Sequence, residues 1–106
     1  MKLSLNTWHR IMLDSIIGRM EGNVDTIYTA SKVLDAVRMT EEEIKAVNLR
    51  QEGASLRWDE ADKIWEVKVP DGKPLDFLRK VVKEHDKWPV SGADQVIALM
   101  EQLEEE

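Results

Sequence analysis

Three cations, Arg50, Arg57 and Lys68, sit in short segments where polar and apolar residues alternate. Alternation sends successive side chains to opposite faces of a strand. On adjoining strands this puts Asn48, Arg50, Ser55, Arg57 and Lys68 on one polar face, with a single acid, Glu66. Arginine grips phosphate oxygens with two parallel N–H donors, so such a face suits a small anionic nucleotide. The competing account is cross-strand pairing, for instance Arg57 with Glu66. Other groups capable of chemistry are sparse. His9 lies near Asp14, His85 lies beside Asp86, and serines stand at positions 4, 15, 31, 55 and 91. None falls in a nucleophile elbow, a phosphate-cradling loop or a dinucleotide fingerprint. Ser4 and Ser91 are better explained as helix caps, so no catalytic residue is expected and the chain is not expected to be an enzyme.

Neither histidine has a partner at zinc-ligand spacing. Asp59-Glu60-Ala61-Asp62 gathers three carboxylates in one loop, but without the glycine and terminal glutamate of a calcium loop. No metal and no cofactor is expected. Four tryptophans in 106 residues is a high count. Trp8, Trp58 and Trp65 fall on apolar stripes and are expected in the core. Trp88 stands before Pro89, outside any stripe. It either plugs the junction between the last two helices or anchors a partner, since tryptophan is enriched at binding hot spots.

The elements that would position these residues follow from periodicity and punctuation. Helical spacing of Leu5, Trp8, Ile11, Met12 and Ile16 predicts a helix over 4–17, capped by Ser4. A second helix over 24–38 is capped by Asn23 or Asp25 and carries Val24, Ile27, Ala30, Leu34 and Val37. Thr40 with Glu43 forms a capping box opening a short helix, 41–46. The period then drops to two. Val47 and Leu49, then Ala54, Leu56 and Trp58, then Trp65, Val67 and Val69 predict a three-stranded antiparallel meander with a turn at Glu52-Gly53. Pro74 opens a helix over 74–86 with Leu75, Leu78, Val81, Val82 and His85 on one face. Trp88-Pro89 breaks it. Ser91 with Asp94 starts a last helix carrying Val96, Ile97, Met100 and Leu103. The expectation is a single α+β domain over 1–106, ordered ααα-βββ-αα, with the helices packed on one face of the meander.

Composition narrows the function. The net charge is −6, with residues 1–40 near neutral and the acidity in residues 41–106. A negative field repels phosphate backbones, so direct nucleic-acid binding is disfavoured. A winged helix-turn-helix has this element order, but its third helix would present Glu41-Glu42-Glu43 to DNA. No apolar run approaches a membrane span, so no membrane partner is expected. The opening residues do not read as a secretory signal, and there is no cysteine. Both features suit a cytoplasmic location. Apolar residues exceed what the stripes use, Tyr28 and Ile64 among them, which points to a homodimer.

Met1-Lys2-Leu3-Ser4-Leu5, Glu21-Gly22-Asn23, Thr40-Glu41-Glu42-Glu43-Ile44-Lys45, and Gln51-Glu52-Gly53 followed by Trp58-Asp59 resemble small proteins encoded by tailed bacteriophages and prophages. The likeness runs through most of the chain and rests on caps, turns and one tryptophan. It departs at the aromatic segment Lys63 to Val69 and at Trp88-Pro89. The resemblance implies a viral origin and no mechanism. The resulting expectation is a non-enzymatic accessory protein, in the cytoplasm of a bacterial host, that modulates a host protein of the defence or transcription machinery. The alternative is a module that sequesters a small nucleotide through Arg50, Arg57 and Lys68.

Overall fold

A computed structural model describes residues 1–59 and 63–104. The chain is α+β. It opens with a strand, β1 (Lys2–Asn6), and continues through α1 (Thr7–Gly18), α2 (Val24–Val37), α3 (Glu41–Ala46), β2 (Arg50–Glu52), β3 (Ser55–Arg57), β4 (Ile64–Lys68) and α4 (Lys73–Glu84). A 3₁₀ turn, Val90–Gly92, leads into α5 (Ala93–Glu104). β1 pairs antiparallel with β4, Leu3 opposite Val67 and Leu5 opposite Trp65, while β2 and β3 pair only with each other. Leu3, Leu5, Val67 and Val69 form the buried face of the β1–β4 ribbon. Leu13 and Ile17 of α1, Val33 and Val37 of α2, Leu78 and Val82 of α4, and Leu99 and Leu103 of α5 close the core beneath it.

Two expectations about the order of elements are corrected. The first helix does not start at Ser4. Leu3 and Leu5 alternate with Lys2 and Ser4, the period of a half-buried strand. Ser4 spends its backbone on a distant side chain: its N–H donates to Gln102 Oε1 at 2.7 Å, and Gln102 Nε2 donates to its carbonyl at 2.9 Å. Asn6 is the true cap, accepting the His9 N–H at 2.8 Å, and helix begins at Thr7. Nor is there a three-stranded meander. Residues 47–49 are not a strand, because α3 ends there in a Schellman motif. Asn48 takes φ 52°, its N–H bonds to Lys45 O, and the Leu49 N–H bonds to Ile44 O. That closure redirects the chain into a separate β2–β3 hairpin. Its two-residue loop, Gly53-Ala54, has Gly53 at φ 63°, as a type II′ hairpin requires.

The expected caps of α2 and α3 and the α4 stripe hold. α3 spans Glu41–Ala46 and opens with the Thr40–Glu43 capping box, and Asn23 caps α2. Leu75, Leu78, Val81 and Val82 form the buried stripe of α4. In α1, α2 and α5 the stripes are rotated from those expected. The buried apolar positions are Leu13 and Ile17 in α1, Ala30, Val33 and Val37 in α2, and Leu99 and Leu103 in α5. Val24 is 84% exposed, and Ile27 and Ile97 are exposed as well. Trp8, Trp58 and Trp65 are half-buried rather than core.

Candidate functional site

The cations singled out by alternation do not converge. Arg50 and Arg57 face each other across the β2–β3 hairpin, whereas Lys68 lies on β4 in the other sheet, opposite Lys2. Arg50 is already engaged: Nε donates to Glu52 at 2.9 Å, and Nη1 to the Asn48 carbonyl at 2.9 Å and to Asp59 at 3.4 Å. The Asn48 amide, with the Arg50 guanidinium beside it, holds the Asp59 carboxyl below its usual range. Glu60 to Asp62 of the expected acidic loop lie outside the described residues. Among the described residues, no cluster of three metal-ligating side chains occurs.

Trp88 is half-buried against the core. Its Nε1–H donates to the Val82 carbonyl at 3.1 Å, and its ring stands 6.1 Å from Trp8 and 4.9 Å, edge-on, from His85. Gly92 passes beneath Trp8 so closely that a Cβ there would meet the ring at 2.6 Å. Trp88 therefore packs on α1 and the end of α4, within the connection that leads to α5.

His9 is not a base facing solvent. It is 4% exposed, its Nδ1 accepts the Asn6 N–H at 3.2 Å, and its Nε2 meets the Gln95 carbonyl at 2.8 Å. A carbonyl only accepts, so the proton sits on Nε2 and the ring is neutral. Burial lowers its pKa below 6.5, and the Gln95 carbonyl, which pulls the other way, does not cancel that. With the folded pKa below the unfolded one, the unfolded state binds more protons as pH falls. Stability is then full above pH 6.5 and declines below it, toward the folded pKa. His9→Gln keeps an acceptor for Asn6 and a donor for Gln95 and cannot titrate. Urea midpoints at pH 7 and pH 5 should fall for the wild type and stay level in this window for His9→Gln.

The concave site lies elsewhere, between the outer face of α1, the start of α2, and α4. It is a half-open groove of about 690 Å³. Met12 and Ile16 on α1, Met20 just beyond it, and Phe77 and Val81 on α4 make an apolar floor. Arg19, Lys80 and Lys87 stand around it with one carboxylate, Glu84, and His85 closes the end next to Trp88. The local charge is thus positive on a protein of net charge −6.

Sequence reasoning assigned Met12 and Ile16 to the core. They belong to a second stripe, Met12-Ile16-Met20, one step round the helix from the buried pair Leu13 and Ile17. The available signal was width: α1 is apolar over more than the stripe one core contact requires. No family model, characterised protein or solved structure matches the chain. The groove is therefore interpreted from its own chemistry. Its volume is that of a ligand- or segment-binding cleft. Methionine floors adapt to varied apolar shapes because the side chain is unbranched and polarisable.

Proposed function

We propose that the chain is a small non-enzymatic accessory protein of phage or prophage origin that acts in the cytoplasm of its bacterial host by binding a host protein. The groove between α1, α2 and α4 is the observation that carries this reading. An apolar floor of Met12, Ile16, Met20, Phe77 and Val81 suits the anchors of an amphipathic helix laid along it. Arg19, Lys80 and Lys87 select a helix with acidic residues beside those anchors. The modulated component would be one that presents such a segment, which includes proteins of the defence and transcription machinery.

The test compares tagged wild type with Arg19→Glu/Lys80→Glu in host lysate, with retained proteins read by mass spectrometry and the purified partner then titrated. Reversing two rim charges should weaken binding about tenfold, chiefly through slower association. The melting temperature should stay within about 2 °C, since exposed charges contribute little to stability. The Met12 and Met20 methyl resonances should shift when the partner is added. Equal capture by both proteins, or methyl signals that do not move, would remove the groove from the mechanism.

A further inference from the structure

We infer that the outer edge of β4 is the dimer interface of this protein, pairing antiparallel with β4 of a second copy to make one four-stranded sheet, β1-β4-β4-β1. The two edges of the ribbon are treated differently. The β1 edge is covered at Ser4 and Asn6: Gln102 of α5 supplies an amide that bonds both the N–H and the carbonyl of Ser4, and the Asn6 N–H goes to His9. Because Ser4 and Asn6 point their backbone groups away from β4, their partners Glu66 and Ile64 point theirs away from β1. The same alternation turns Lys68 outward, while Val69 bonds inward to Met1. Among the described residues, the outward backbone groups of Ile64, Glu66 and Lys68 have no partner.

Charged residues on an edge usually discourage pairing, and lysine most of all. Here the sequence alternates in sign, which reverses that effect in one register. A two-fold axis at Val67 sets Glu66 of each copy opposite Lys68 of the other. Both positions are outward-facing, so they exchange backbone bonds, and each pair is of opposite charge. Val67 then stands opposite its own copy. A neighbouring register is worse: an axis at Glu66 opposes two carboxylates. Ile64, 64% exposed in the monomer, lies along this edge.

The experiment is sedimentation equilibrium of the untagged protein from low micromolar to near-millimolar concentration, with hydrogen exchange read at single amides. A dimer is expected, and the Ile64, Glu66 and Lys68 amides should be protected at high concentration and exchange freely on dilution. Glu66→Lys should weaken the dimer about tenfold by placing like charges opposite each other twice. Glu66→Lys/Lys68→Glu restores opposite pairs and should recover affinity to within about threefold. Circular dichroism of each variant checks that the fold is unchanged. A monomer at every concentration overturns the inference. So does a dimer indifferent to the charge swap, or edge amides protected only when a host protein is added.

Discussion

Arg10→Ala is expected to cost about 3–5 kcal/mol, the loss associated with breaking a buried ion pair. Arg10 is only 3% exposed, though arginine is rarely found so deep. Its Nε donates to the Val37 carbonyl at 3.0 Å and its Nη2 to the Arg38 carbonyl at 2.7 Å, so it caps the C-terminal end of α2. Its Nη1 meets the Glu43 carboxylate at 2.5 Å, and the guanidinium lies over the Trp65 ring at 5.3 Å. One side chain thus joins α1, α2, α3 and β4. Alanine leaves two carbonyls without their donor, each buried orphan costing about 1–3 kcal/mol, and removes the cation paired with Glu43, which keeps only the Thr40 N–H. Arg10→Lys should recover less than half of the loss, because an ammonium cannot reach three acceptors in a planar fork.

Glu43→Gln separates charge from geometry in this network. Glutamine can still close the capping box on Thr40, so it should cost only about 1 kcal/mol. Burial works against the charged form of Glu43, but the Arg10 and Thr40 hydrogen bonds outweigh it and hold the carboxyl below 4.5. A depressed carboxyl contributes stability above its unfolded pKa and loses it as pH falls through the folded one. The wild type should therefore lose more stability below about pH 4.5, a window beneath that of His9, than Glu43→Gln does. Urea unfolding of the four proteins across pH 3–7 checks all of this. A wild-type-like Arg10→Ala would show that the burial of Arg10 is not what holds α2, α3 and β4 together.

What was legible in the sequence was local. A capping box lies within four residues, so Thr40 and Glu43 announced α3 with its bounds. The α4 stripe was legible because its apolar and charged faces separate cleanly. β1 was not. Its alternation contains only Leu3 and Leu5, and a helical pattern starting at Leu5 competes for the same residues. Its partner is far along the chain, with Leu3 opposite Val67 and Leu5 opposite Trp65. The meander failed for the same reason in reverse: neighbouring strands in sequence were assumed to pair, while the Schellman closure at Asn48 sets the hairpin apart.

The site was less legible than the fold. Arg10 is held by carbonyls 27 and 28 residues on, and nothing local marks it as buried. The groove floor looked like core because α1 is apolar on two adjacent faces. Only the positions of α2 and α4 decide which face is covered. The cations Arg50, Arg57 and Lys68 formed a patch only if the three strands shared a sheet, and that premise did not hold.

Trp88→Ala is expected to lower stability by about 2–3 kcal/mol, below the value for a fully buried ring because Trp88 is half-buried. Two contributions add. The ring fills the space between Trp8, His85 and the end of α4, and aromatic contacts of this kind exceed simple area burial. The indole N–H satisfies the Val82 carbonyl, which belongs to the last turn of α4 and lacks an intrahelical partner. Trp88→Phe keeps most of the ring and loses the donor, so it should cost about 1 kcal/mol. Differential unfolding in urea resolves the two variants. A tryptophan that merely anchored a partner would give the opposite pattern, with binding lost and unfolding unchanged. The junction role predicts unfolding loss first, and weaker partner capture only as a consequence, because His85 packs on Trp88 and forms the end of the groove. Restoring the ring with phenylalanine should then restore most of the capture, although the indole donor is still missing.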